Sequence, residues 1–121
     1  MHAGIIFFAH GSSVESANEA VRKVAADAAL QAGVDRFEVA FLELAHPTLE
    51  EAAARLIAAG TERITVVPYF LTLGIHLQRD LPAIVSRIAA ACPHIQISVT
   101  APLDGHPVLA SVLADRARNA I

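Results

Sequence analysis

Gly4-Ile5-Ile6-Phe7-Phe8-Ala9-His10-Gly11-Ser12-Ser13, with Ala17, Ala20, Val21, Val24, Ala25 and Ala28 behind it, is the stretch from which the fold can be read. Its first six residues are apolar or small without alternation, as in a strand buried on both faces. The later residues fall at i, i+3, i+4, i+7, i+8 and i+11, the spacing of one helix face. A strand therefore gives way to a helix across His10-Gly11-Ser12-Ser13, and Gly33 stops that helix.

Working outward, the same unit recurs three times. Phe37 to Leu42 is followed by Leu49, Ala52, Ala53, Leu56 and Ile57 on one face, with Thr48 and Glu51 spaced as a capping box and Gly60 placed to end the helix. Ile64 to Val67 leads through a long loop to Leu81, Ile84, Val85, Ile88 and Ala89, which Pro93 terminates. Ile95 to Val99 precedes Leu109, Val112, Leu113, Ala117 and Ala120. Four βα units imply one doubly wound α/β domain spanning residues 1–121, its four-stranded parallel sheet covered by helices on both sides. A chain of 121 residues has room for one such core and no second domain.

Composition narrows the function. A net charge of −3, a pI near 6.0 and 5% aromatics without tryptophan leave no basic, stacking face for nucleic acid. The mean hydropathy of +0.50 raises the question of a membrane span, but the most apolar stretch, Ile64 to Ile75, contains Pro68 and Gly74 and falls well short of the about 20 residues needed. The amino terminus turns polar too soon for a secretory leader, so the chain is expected in the cytoplasm. Cys92 is the sole cysteine and reads as a small core residue.

In open parallel sheets, function collects at the carboxyl ends of the strands. Each of those four places holds a histidine: His10, His46, His76 and His106, leaving only His2 and His94 elsewhere. Imidazole is a common ligand of divalent transition metals, so histidines converging there with a carboxylate make a candidate metal site. The bland alternative is that His10 caps the first helix and His76 satisfies a loop carbonyl. His46 and His106 each precede proline at a helix start and read as capping or surface residues. The loop Pro68-Tyr69-Phe70-Leu71-Thr72-Leu73-Gly74-Ile75-His76-Leu77 is apolar where a rim loop is normally polar, which marks a contact with a partner or a large flat ligand, or else a loop folded back on the core. A metal-delivery protein, a phosphate-handling enzyme using HGSS at a helix amino terminus, and a flavodoxin-like binding module also suit parts of this pattern. Ala9 and the lack of a GK[ST] motif count against the phosphate reading.

The segments FFAHGSSVESANE, FLELAHPTLEEA, VVPYFLTLGIHLQRDLP and PLDGHPVLASVLADR together resemble the short form of the sirohydrochlorin cobaltochelatases, class II chelatases that insert a divalent metal into a tetrapyrrole. The resemblance runs nearly end to end, and it implies metal-binding histidines at His10 and His76 and an active-site glutamate at Glu43. Ser13 stands where that family usually has an arginine. The implied substrates are a sirohydrochlorin-type tetrapyrrole and Co²⁺, with Ni²⁺ or Fe²⁺ as alternatives, and no organic cofactor. Phe70, Leu71, Leu73 and Ile75 would wall the macrocycle, while Arg79, Ser12 and the helix amino termini at this rim would meet its carboxylates. A histidine or carboxylate beside the ring would accept the pyrrole protons. Longer members of the family face two similar domains across the site, so the short form is expected to work as a homodimer, with neither nucleic acid nor membrane as partner.

Overall fold

The computed structural model describes residues 2–121. Along the chain run β1 (Ala3–Ala9), α1 (Glu15–Ala32), β2 (Phe37–Phe41), α2 (Leu49–Ala58), β3 (Arg63–Pro68), α3 (Ile75–Ala91), β4 (Gln96–Val99) and α4 (Pro107–Ala120). The strands form one fully parallel sheet in the order β2-β1-β3-β4, so the expected α/β architecture is the one observed. The chain reverses direction across the sheet between β1 and β3, where such folds open a crevice at their carboxyl edge.

The register sorts side chains onto two faces. Ile6 and Val66, and Phe8 with Ala40 and Pro68, share one face, and all are buried. There Leu49, Ala52, Ala53 and Leu56 of α2 and Leu77, Leu81 and Ile88 of α3 complete the core. On the other face Ile5, Phe7, Phe37, Val39, Thr65 and Val67 are only half-buried, beneath α1. Phe7 meets Phe37 edge to face at 5.9 Å between ring centroids, and the Arg22 guanidinium lies 5.3 Å from the Phe41 ring centre. No residue of α4 is buried. The sheet is flanked by helices as expected, and α4 adds no buried residue to the second layer.

Helix ends follow local chemistry. Gly33 takes the left-handed conformation at φ 70° and closes α1, and Gly60 at φ 94° follows the end of α2. Thr48 accepts from the Glu51 N–H at 3.2 Å, while the Glu51 carboxylate accepts from the Thr48 N–H at 2.8 Å and pairs with His46 Nδ1 at 2.7 Å. His106 caps α4, its Nδ1 accepting from the Val108 N–H at 3.1 Å. One boundary differs from the sequence reading. The span before Leu81 read as loop, yet α3 begins at Ile75 and carries Pro82 within it. Leu77 and Leu81 are both buried one turn apart, and this burial sustains the helix across the amide hydrogen that Pro82 lacks. His76 therefore sits in the first turn of a helix.

Replacing Leu81, 2% exposed at the centre of the α3 contact, by alanine is expected to cost about 2–5 kcal/mol in urea unfolding. The Thr48 N–H, then His46, hold the Glu51 carboxyl down from 4.5 to about 2. A depressed carboxyl stabilises the fold above its unfolded-state value and loses that effect as it protonates. Glu51→Ala should therefore lower Tm at pH 7, and the gap to the parent chain should narrow as pH falls from 4.5 towards 2.

Candidate metal site

Three loops gather at the carboxyl edge of the sheet. After β1 the chain turns through Gly11 at φ 92°, where an added Cβ would stand 1.9 Å from the Glu43 carbonyl oxygen. Only glycine fits, because the conformation and the space both exclude a side chain. The backbones of the first two loops are laced together as well: Leu42 N–H donates to Ala9 O at 2.9 Å and Glu43 N–H to His10 O at 3.1 Å. Leu44 follows at φ 66°, a strained conformation for a leucine, with its side chain exposed.

This seam sets His10 Nε2 3.4 Å from Glu43 Oε1, with both side chains more than half exposed. His10 Nδ1 lies 3.1 Å from Gly11 O. A carbonyl only accepts, so with the proton on Nδ1 the neutral ring turns its Nε2 lone pair towards the carboxylate. Two acceptors that face each other call for a cation between them, either a proton or a metal ion. Ligands each about 2.0–2.1 Å from a tetrahedral metal lie roughly 3.3 Å apart, close to the observed separation. An Nδ1–H held by a backbone carbonyl also fixes a ligand histidine's tautomer and orientation.

His76 is differently disposed. Its Nδ1 faces the Arg79 guanidinium at 3.4 Å, and Arg79 also reaches Asp80 Oδ1 at 3.5 Å. A guanidinium only donates, so Nδ1 is the accepting nitrogen here. Ligation through Nε2 would require the proton to move to Nδ1 and Arg79 to turn away. Among the described residues no three His, Cys, Asp or Glu side chains stand close enough to hold an ion, so the chain brings His10 and Glu43 together but does not group His76 with them.

The apolar loop divides. Phe70 and Leu73 are partly buried and pack against the core; Phe70 lies 5.7 Å from the Phe8 ring and 6.4 Å from the His10 imidazole. Leu71 and Ile75 remain 64% and 82% exposed at the rim. His10 does not cap α1: the cap position is Val14, whose N–H donates to Ser12 Oγ at 3.0 Å.

One functional position escaped the sequence reading. Asn18, 2% exposed, accepts from the Ser12 N–H at 3.0 Å and donates to Ser12 O at 2.9 Å, so it pins the loop that carries His10. A polar residue on the apolar stripe of α1 was the available signal.

A doubly wound α/β domain with a histidine–carboxylate pair at its carboxyl edge is the class of protein this arrangement defines. A family model described as CbiX matches residues 4–120. A sirohydrochlorin cobaltochelatase of Methanosarcina acetivorans is 30% identical over 98% of this chain and 96% of its own length. The chloroplastic sirohydrochlorin ferrochelatase of Arabidopsis thaliana is also 30% identical, but the chain spans only 52% of it. Among solved structures, a cobalamin biosynthesis CbiX protein of Marinobacter aquaeolei VT8 superposes with a TM-score of 0.85 at 32% identity, covering 98% of this chain and 96% of that one. The sirohydrochlorin chelatase SirB of Bacillus subtilis subspecies spizizenii, in complex with cobalt, superposes with a TM-score of 0.78 at 30% identity, over 84% of this chain and 44% of SirB. The chain belongs to the CbiX family of sirohydrochlorin chelatases.

Gly11→Ala should drive the two loops apart and separate His10 from Glu43. Calorimetric titration with Co²⁺ is expected to show binding weakened at least as much as in His10→Ala, together with a lowered Tm.

Proposed function

We propose that this chain inserts a divalent metal ion into sirohydrochlorin in the cytoplasm, with Co²⁺ the preferred metal. The observation that carries the reading is the facing pair of acceptors, His10 Nε2 and Glu43 Oε1, held by the glycine-tight seam between two strand ends. Such a pair binds a metal with only two protein ligands and leaves coordination positions open, as an ion that must be surrendered requires. His76, on the first turn of α3, serves as a further ligand or as the acceptor of a pyrrole proton. Leu71 and Ile75 supply apolar surface for the macrocycle, and Arg79, Ser12 and the α1 amino terminus meet its carboxylates.

The choice of cobalt is supported by length. Relatives that the chain covers over 92–96% of their own sequence carry the name cobaltochelatase, whereas it spans 40–52% of the plant and Bacillus subtilis relatives named ferrochelatases. Imidazole and carboxylate also accept Ni²⁺ and Fe²⁺, so preference is decided by direct competition. One domain offers one wall to a broad macrocycle, and a second copy of the chain supplies the other in a homodimer.

The test follows the absorbance of sirohydrochlorin with Co²⁺, with the same assay run on Ni²⁺ and Fe²⁺. The parent chain should exceed the spontaneous rate, and His10→Ala, Glu43→Gln and His76→Ala should each lose about 100-fold or more of the acceleration. Metal binding without acceleration would replace this reading with that of a metal-delivery protein.

A further inference from the structure

Helix α1 is tied to the candidate metal site by one side chain. Helical side chains lean towards the amino terminus, and Arg22 reaches back seven positions to Glu15, at the end of α1 that meets the carboxyl edge of the sheet. Its Nη1 donates to Glu15 Oε1 at 2.6 Å and also to Glu19 Oε1. The same guanidinium lies 5.3 Å from the ring centre of Phe41, the last residue of β2. One group therefore grips the first helix and the second strand at once.

Two paths lead from it to the His10–Glu43 pair. Glu15 Oε2 accepts from Asn18 Nδ2 at 3.2 Å, and Asn18 in turn holds both backbone groups of Ser12, two positions beyond His10. The second path is shorter. Phe41 stands two positions before Glu43, and its Cβ is one of the atoms that a side chain at Gly11 would meet, at 3.3 Å. Asn18 and Phe41 are buried, so packing fixes the inner links, while Glu15 lies at the surface. The Asn18 amide donates to both Ser12 O and Glu15, so loss of Glu15 removes a partner from a buried donor. Arg22 first and Asn18 second hold the Glu15 carboxyl below its ordinary range, which keeps the link ionised at neutral pH.

Magnitudes decide what such a contact can do. Exposed ion pairs add little to the stability of a whole domain, because both ions are well hydrated when apart. Groups that orient a metal's ligands from behind, by contrast, change metal affinity about 10–100-fold when they are removed. The network is thus weak as a brace for the fold and effective as a stop on two short loops, whose local opening costs far less than global unfolding.

We propose that Arg22 is a positioning residue that clamps the loops after β1 and β2, one through Glu15 and Asn18 and the other through Phe41, and so sets the 3.4 Å separation of His10 Nε2 from Glu43 Oε1. Arg22 itself touches neither metal nor tetrapyrrole. The clamp belongs to the metal-free chain, and only its effect on a bound ion rests on the function proposed above. Gly11 lets the two loops touch, and Arg22 keeps them from sliding apart. Lysine cannot replace it: an ammonium reaches Glu15 or covers Phe41, whereas a planar guanidinium bonds through its edge and stacks through its face together.

Amide hydrogen exchange on the metal-free full chain, followed residue by residue, tests the clamp. Arg22→Met should speed exchange about 10-fold at Ser12, Leu42 and Glu43, whose N–H groups bond to Asn18 Oδ1, Ala9 O and His10 O, and leave Ile6 and Phe8 in β1 unchanged. Arg22→Lys should recover only part of the protection. Arg87→Met, which breaks the exposed 2.8 Å pair with Glu50 in the other layer, should leave all three amides as in the parent chain. Calorimetry should then show Co²⁺ bound about 10-fold more weakly by Arg22→Met than by the parent chain, and equally well by Arg87→Met. Glu15→Ala, which cuts the path one link further on, should free the Ser12 amide and replaces Arg22→Met if that variant does not fold. Unchanged exchange at the three amides, or acceleration matched within β1, would overturn the clamp. Co²⁺ held as tightly by Arg22→Met as by a parent chain that binds it would overturn the positioning of the pair. A parent chain that binds no Co²⁺ while the three amides respond sinks the metal reading and leaves the clamp standing.

Discussion

The contact on which the site depends is the approach of Gly11 to the Glu43 carbonyl, where a single methyl group would stand 1.9 Å from oxygen. β1 and β2 pair in parallel up to Ala9 and Phe41, and the two loops leave the sheet side by side, joined by Leu42 N–H to Ala9 O and Glu43 N–H to His10 O. Parallel pairing places both departing chains at the same edge, and the missing Cβ lets them touch. His10 and Glu43, which are 33 positions apart, thus become neighbours through backbone geometry, with Asn18 holding the far side of the first loop.

The electrostatics of the edge follow from which partner each ring nitrogen has. His10 has a backbone carbonyl at Nδ1 and a carboxylate at Nε2, so with its proton on Nδ1 it turns a lone pair on the carboxylate, an arrangement that attracts a cation. His76 faces a guanidinium, which occupies an acceptor nitrogen and contributes positive charge of its own. The two histidines that the family resemblance places in one role thus occupy opposite local fields. A rim that contains both an anionic and a cationic sector suits a ligand that brings a metal ion together with peripheral carboxylates.

The sheet is covered more completely on one side than on the other. α2 and α3 bury Ile6, Phe8, Ile64 and Val66 completely, whereas α1 by itself is too narrow to cover four strands. A parallel sheet is stable when both faces are covered, and the half-buried Phe7 and Val67 mark the face that is covered less completely.

Much of this was written in local sequence. The strands, the Thr48–Glu51 capping box, the glycine ends of α1 and α2 and the collection of histidines at strand ends depend on periodicity and on near neighbours, which the chain carries in its own order. Pro82 hid the early start of α3, because burial of Leu77 and Leu81 outweighs the lost amide bond and burial is not visible locally. How far Phe70 and Leu73 pack against the core was also open, since the same apolar letters suit either surface; contact with Phe8 gives Phe70 a partly buried place. The sequence by itself determined the element types and which residues gather at one edge, since those follow from side-chain spacing. Only the tertiary structure decided that His10 meets Glu43 while His76 meets Arg79, and that one sheet face is covered less completely, since distances between residues remote in sequence exist only after the strands have paired.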